Sequence, residues 1–291
     1  MTSLLILGAQ GQVGRAVTTQ ARRAGVKHEA LGRSECDVTD RRAMERAVGG
    51  NSVVVNCAAY TAVDRAEAEP AAAHRINVVG AGTIAAACAA AGVPLVHLST
   101  DYVFGGESDR PAREDDPPRP LSVYGQSKLD GESAVRHALE RHIILRTSWV
   151  FSVHGENFVK TILRLASSQA ELRIVDDQIG GPTAADDIAA AVLRIVDLAA
   201  RPGFADWGTY HFSGAPPVSW CAFARAIAPQ SVAVRPIATS DYPRPARRPR
   251  NSVLDCRRVR DVFGIAQPDW RLALRDVLAE LGAQAQAGRA S

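Results

Sequence analysis

The sequence predicts an α/β protein built on a doubly wound parallel sheet. Three observations predict it. A continuous apolar run, SLLIL at 3–7, opens the chain; a glycine-spaced turn, GAQGQVG, follows it; and strand-like and helix-like stretches then alternate as far as residue 150.

After its opening serine SLLIL is wholly apolar, as expected of a strand buried on both faces. A helical stretch over 15–24 leads to a second strand, KHEAL at 27–31. DVTDRRAMERAV opens the next helix with Asp or Thr as N-cap. SVVVNCAA (52–59) reads as the third strand, and an alanine-rich helix over 69–91 stops at Gly92, a residue suited to a helix end. VPLVHLST (93–100), a helix over 124–139 and HIILRTS (142–148) complete the alternation. After TSWVF the pattern loosens, with helices predicted at 156–167, 184–200, 219–227 and 270–282 and strands at 172–175, 209–212 and 232–236. The expectation is a Rossmann-like NAD(P)-binding domain over 1–150 and a smaller, mixed C-terminal substrate lobe over 151–291, with some chain exchanged between the two. Ligands in such folds bind at the carboxyl edge of the sheet.

Composition narrows the function. The 291 residues can bury a sizeable core, and 46% hydrophobic with 22% charged residues fits a globular chain. A net charge of +3, with both signs scattered, calls for neither nucleic acid nor a membrane surface as partner. No apolar run is long enough to span a bilayer, and the N-terminus lacks the marks of a secretory leader. Five cysteines without Cys-x-x-Cys spacing point to buried thiols in a reducing cytoplasm.

Gly8, Gly11 and Gly14 stand where a dinucleotide fold needs glycine: for a tight turn, for approach of a pyrophosphate, and for close packing of helix on strand. Gln10, Gln12 and Val13 lie in the same turn and join the candidate cofactor set. The second strand ends in ALGRS, where Arg33 could receive a 2′-phosphate and no acid is placed for a ribose; an ordinary surface arginine is the alternative. NADPH is therefore favoured, with NADH left open. Asp37 and Val38 are placed to meet the adenine. Ala58, Ala59 and Tyr60, at the end of the third strand, and Thr61 would pass beneath the nicotinamide side.

Lysine is scarce. Of 34 Lys plus Arg, the only lysines are Lys27, Lys128 and Lys160, and Lys128 follows Tyr124 by four residues, on one helix face. A tyrosine with a pKa of about 10 needs help to exchange a proton near neutrality, and a nearby ammonium favours its phenolate. A compact, flexible ammonium can also reach a ribose hydroxyl, which a guanidinium fork does less well. Ser99 and Thr100, ending the fourth strand, bring hydroxyls to the same edge for cofactor and substrate carbonyl.

With these residues in place the chain resembles the dTDP-4-dehydrorhamnose reductases, which are extended short-chain dehydrogenase/reductases. The motifs are GAQGQVG, NCAAYTAVDRAE, LSTDYVFGG, VYGQSK, LRTSWVF, DDQIGGPT and RRPRNSVLD, in the family's order over nearly the whole chain. The resemblance implies reduction of dTDP-4-dehydro-L-rhamnose to dTDP-L-rhamnose, with hydride to C4. Tyr124 would be the proton donor, Lys128 its pKa-lowering and ribose-holding partner, and Thr100 the hydrogen-bond donor to the C4 oxygen. It also implies that Asp101, Val103 and Trp149 contact sugar or nucleotide, and that Gln178, Arg248 and Asn251 serve the diphosphate end; a core aromatic is the alternative for Trp149. Some family members hold Mg²⁺ at a dimer interface through acids, one of them on the first helix. Here that helix reads RAVTTQARRAG, without an acid, so no metal site is expected and a homodimer is left open. Two other readings share the scaffold: a reductase of another nucleotide-linked 4-keto-6-deoxysugar, and a non-catalytic nucleotide-binding subunit like the regulatory partner of methionine adenosyltransferase.

Overall fold

Strand β1 (Ser3–Leu7) is enclosed from Leu4 to Leu7, and its side chains feed two separate cores. Leu4 and Ile6 face one, Leu5 and Leu7 the other, as the two-residue period of a strand requires. Each such burial stabilises by about 1.5–3 kcal/mol relative to exposure. The computed structural model describes residues 3–290.

From β1 the chain runs through α1 (Gln12–Arg23), β2 (Lys27–Leu31), α2 (Arg41–Val48), β3 (Val53–Asn56), α3 (Val63–Ala66), α4 (Pro70–His74) and α5 (Ala81–Ala91). Then come β4 (Leu95–Thr100), α6 (Val123–Ala138) and β5 (His142–Thr147). Past residue 150 follow β6 (Val150–Phe151), α7 (Phe158–Ala166), β7 (Glu171–Val175), β8 (Ile179–Gly180) and β9 (Thr183–Ala184). The chain continues with α8 (Ala185–Ala199), β10 (Gly208–His211), β11 (Val218–Ser219), α9 (Trp220–Ile227), β12 (Ala233–Ile237), α10 (Arg257–Phe263) and α11 (Trp270–Ala290).

The main sheet has the order β10-β5-β4-β3-β1-β2, and every pair in it is parallel. The strand order reverses at β1, so the crevice at its carboxyl end is a ligand position. Met44, Ile84 and Val135 of α2, α5 and α6 cover one face; Val17 of α1 and Ile188 and Val192 of α8 cover the other. After residue 150 the chain returns to this layer three times, with α8, β10 and α10. Helix α8 packs on α1, and β10 pairs with β5, setting Tyr210 beside Leu145. Helix α10 adds Val259 and Phe263 to the same core as α8, beside Tyr210. The other segments gather around Phe151, Phe223 and Trp270 in a third core, with β7 and β12 paired in parallel.

Two elements differ from expectation for local reasons. The third strand ends at Asn56 rather than 59, because the Asn56 Oδ1 accepts the Ala58 N–H at 2.9 Å and turns the chain. The single helix expected over 69–91 is broken by a π-helical turn, Arg75–Gly80, between α4 and α5. That turn delivers Asn77 to the site, a common use of π-bulges. Asp40 proves to be the N-cap of α2, accepting from Arg42 and Ala43, and Gly92 ends α5 at φ +66°. Helix α10 was not expected; only Val259 and Phe263 of its seven residues are buried, too few to show a period.

Candidate active site

Gly8 has φ +73°, and a Cβ there would sit 2.5 Å from the Ala58 nitrogen. A Cβ on Gly14 would collide with the Gly8 carbonyl. Both positions therefore require glycine for the fold itself. Gly11 differs: a Cβ there would meet nothing nearer than the Gly8 oxygen at 3.4 Å. Its bareness leaves open the approach to the α1 N-terminus, where Gly11 is an N-cap with no side-chain cap bond and the first turn carries no acid. Free N–H groups at the positive end of a helix suit a pyrophosphate.

The neighbouring candidates are divided between cofactor edge and lobe contacts. Gln12 bridges the lobes: its Oε1 accepts from Asn157 at 3.0 Å and its Nε2 donates to the Glu156 carbonyl at 3.4 Å. Gln10 reaches Ser34 at 3.5 Å, and Val13 packs partly against the core. Arg33 is exposed just past the end of β2. Asp37 is also exposed; the Thr39 N–H bond and the adjacent Arg75, at 2.6 Å, hold its carboxyl below the usual range. Val38 is buried. Ala58 abuts Gly8, Ala59 is half-buried and Thr61 is exposed. Tyr60 donates its N–H to Asn77 Oδ1 at 2.8 Å and its hydroxyl to Glu69 at 2.9 Å.

Ser122 caps α6 by accepting the Gly125 N–H at 3.1 Å, which fixes where the helix starts and so where Tyr124 lies. Tyr124 is partly open to the cleft, yet enclosed enough that burial pushes its phenol up to about 12. The Thr100 hydroxyl is in hydrogen-bonding reach and pulls the other way. The spacing predicts Lys128 as the group that lowers the phenol's pKa; the structure turns its ammonium instead onto the Leu98 carbonyl, at 2.8 Å. Lys128 is itself brought down to about 8 by burial, with Glu132 opposing. A shared helix face places two side chains together but does not fix where a four-carbon stem ends.

Thr100 donates to Asp101 Oδ1 at 2.9 Å, while Asp101 Oδ2 has no hydrogen-bond partner. Burial raises that carboxyl to about 7 against the pull of the nearby Ser252 and Thr100 hydroxyls. Ser99 points the opposite way along the alternating strand, donating to Glu132 at 2.6 Å, so its hydroxyl is not at the edge where Thr100 lies. Val103 is fully buried in the core, so its side chain does not line the cleft.

A cleft of about 580 Å³ opens beside this edge, lined by Gly105, Gly106, Arg247, Arg248, Arg250 and Asn251 among others. Asn251 donates to the Ser108 carbonyl at 2.8 Å. Gln178 is buried and donates to Thr239 at 3.0 Å. Trp149 adopts φ +47°, stacks on Trp220 with ring centroids 3.4 Å apart, and donates to Ser252 at 3.1 Å. A side chain at Gly180 would overlap that indole. Trp149 is thus half-buried and packed against another aromatic.

Sequence reasoning missed three site-building residues. Asn77 joins the Tyr60 loop to Ser127 of α6, at 2.9 Å. Glu132 lies beneath Lys128, and Asp64 grips Arg248 across the lobes at 2.9 Å. A polar Asn inside an alanine-rich helix and the acids of TAVDRAE were the available signals.

Comparison with known proteins bears on the family and the fold. A family model described as the RmlD substrate binding domain matches residues 1–283. A dTDP-4-dehydrorhamnose reductase of Sinorhizobium fredii is 44% identical over 282 residues, covering 94% of this chain and 95% of its own. Among solved structures, a dTDP-4-dehydrorhamnose reductase from Clostridium acetobutylicum superposes with a TM-score of 0.89 at 35% identity, over 97% of this chain and 100% of that one. Another, from Bacillus anthracis in complex with NADP, gives 0.89 at 32% identity over 96% and 100%. With the glycine cradle, the Thr100–Tyr124–Lys128 set and this similarity along the whole fold, the chain belongs to the dTDP-4-dehydrorhamnose reductase family.

Proposed function

We infer that the protein reduces dTDP-4-dehydro-L-rhamnose to dTDP-L-rhamnose with NADPH. The observation that carries the reading is Tyr124 and Thr100 meeting at the sheet edge beside an open glycine cradle, in a chain 44% identical to a reductase of this name. Bound NADPH supplies hydride to C4 of the keto-sugar. Tyr124 gives its phenolic proton to the C4 oxygen, completing the alcohol. Burial keeps the phenol protonated at neutral pH but also makes it a reluctant acid, so the transfer needs a nearby positive charge that favours the phenolate. Thr100 turns its hydroxyl from Asp101 to the C4 oxygen, and the orphan Asp101 oxygen is then available to a sugar hydroxyl. Lys128 swings from the Leu98 carbonyl to the ribose and stabilises the phenolate as it forms. Trp149 offers a flat indole face to the sugar, and Arg248, Gln178 and Asn251 serve the nucleotide end. A reducing, cytoplasmic setting fits five cysteines that form no disulfide. Among the described residues, no helix is long and apolar enough to cross a membrane.

The test is NADPH oxidation by the purified protein with this keto-sugar and identification of the product. Formation of dTDP-L-rhamnose is expected; NADPH binding without turnover would transfer the assignment to another keto-sugar or to a non-catalytic subunit. Arg33 carries the cofactor preference. Arg33→Ala should weaken NADPH about tenfold or more and NADH hardly at all, since only one of them bears the 2′-phosphate. Equal losses for both in fluorescence titrations would remove that role.

A further inference from the structure

The acids of TAVDRAE, residues 61–67, take no part in the chemistry above, yet they tie together two of its surfaces. Asp64, on α3, is the centre of a clamp between the lobes. Its Oδ1 accepts from Arg248 Nη1 at 3.0 Å and from the Ala246 N–H at 3.3 Å. Its Oδ2 accepts from Arg248 Nη2 at 2.9 Å and from Arg244 Nε at 3.1 Å. One carboxylate thus holds two guanidiniums and a backbone N–H, and those partners keep it down at about 2 although its partial burial opposes them. Three residues on, Glu67 accepts the Val123 N–H at 2.8 Å, at the residue before Tyr124. Arg248 continues to the Tyr102 hydroxyl, and the Tyr102 ring meets Tyr124 edge-on with centroids 5.8 Å apart. Arg248 also lines the cleft.

We propose that Asp64 is a positioning residue for substrate: it pins the 244–248 strap, and with it Arg248, at the cleft so that the guanidinium offers the N–H capacity left over from Asp64, the Ala246 carbonyl (2.9 Å) and Tyr102 to the diphosphate of the nucleotide sugar. The proposal rests on the nucleotide-sugar reading of the cleft. Two effects of Asp64 on an anionic ligand oppose each other. Its negative charge subtracts from the attraction of Arg244, Arg247, Arg248 and Arg250. Its bidentate fork, however, fixes a long side chain that the ligand would otherwise have to order. Arg244, Arg247 and Arg250 are exposed, so solvent and salt screen their share of the charge effect; Asp64 and Arg248, with side chains 23% and 20% exposed, are screened less. The proposal is that the ordering effect outweighs what remains of the charge effect, which is what the Asp64 substitution reads. Asp64 acts on the ligand through Arg248 and the strap it pins, without touching the reacting atoms, so its effect falls on ligand affinity rather than on the chemical step.

The experiment compares the full chain with Asp64→Asn, Arg248→Ala and the double variant. Calorimetry measures dTDP affinity in the presence of NADP, and steady-state kinetics gives KM and kcat for the keto-sugar. Asp64→Asn should weaken dTDP binding and raise KM about tenfold, with kcat and NADPH affinity within about twofold. In the Arg248→Ala background the same change should add less than about twofold. Arg248→Lys, which keeps the charge but not the fork, should reproduce the loss from the other side of the pair. Unchanged or tighter dTDP binding in Asp64→Asn, or equal weakening in both backgrounds, would overturn the proposal. Because the dTDP titration needs no turnover, a wild-type chain that binds dTDP without reducing this sugar refutes the reaction and leaves the clamp to be judged by the cycle. A wild-type chain that fails to bind dTDP refutes the clamp.

Discussion

Replacing Tyr124 by phenylalanine should lower kcat by about 10³-fold, the middle of the range for losing a positioned general acid. NADPH affinity should stay within about twofold. The substitution removes a single oxygen: the ring keeps its edge-to-face contact with Tyr102, and Ser122 still caps the helix. Thr100 cannot replace the lost donor, because its hydroxyl has no tendency to release a proton near neutrality; it supplies a hydrogen bond only. Single-turnover NADPH oxidation reads the chemical step and a fluorescence titration reads cofactor binding. A variant as active as the wild type would remove Tyr124 from the proton transfer.

The largest stability effect is expected at Glu132. This carboxylate is fully buried beneath the sheet edge and accepts from Arg146 Nε at 2.8 Å and Nη2 at 2.7 Å, from Arg136 at 2.7 Å and from Ser99 at 2.6 Å. Glu132→Gln leaves the buried Arg146 guanidinium without its counter-charge, a loss of about 3–5 kcal/mol. For a chain of this length each kcal/mol shifts Tm by about 2–4 °C, so a fall of about 10 °C should be seen in a thermal melt. The acid dependence follows from the same pair. Burial alone would raise the Glu132 carboxyl, but the Arg146 bonds and charge outweigh it and hold it down at about 2. A folded-state value below the unfolded one means that the stabilisation is complete above the ordinary glutamate range and is lost as pH falls through that range towards 2. The Gln variant should lack that part of the acid sensitivity. A melt within a degree or two of wild type would contradict the burial argument.

Local pattern carried most of the fold. An unbroken apolar β1, the N-cap Asp40 and the stop at Gly92 are all encoded within a few residues of where they act. Gly8 and Gly14 were legible for the same reason, since backbone geometry alone excludes a side chain there. What the sequence hid depends on partners distant along the chain. Asp64 is explained by Arg244 and Arg248, 180 and 184 residues away, and Asn77 by Tyr60 and Ser127, 17 and 50 residues away. The four residues of β10 read as a strand but carry no sign that they extend the main sheet beside β5. Lys128 was found by its spacing from Tyr124, yet its resting contact with the Leu98 carbonyl follows from how α6 packs over β4. The helix over 69–91 was legible as helix, while its π turn was not, because nothing local distinguishes RINVVG from its neighbours.

The most direct measurement follows the hydride itself. The protein would be incubated with dTDP-4-dehydro-L-rhamnose and NADPH carrying deuterium at the transferring position of the nicotinamide ring, and the product sugar read by NMR and mass spectrometry. The predicted result is dTDP-L-rhamnose with a single deuterium at C4. Deuterium at any other carbon, a different product sugar, or bound NADPH that is never consumed would contradict it.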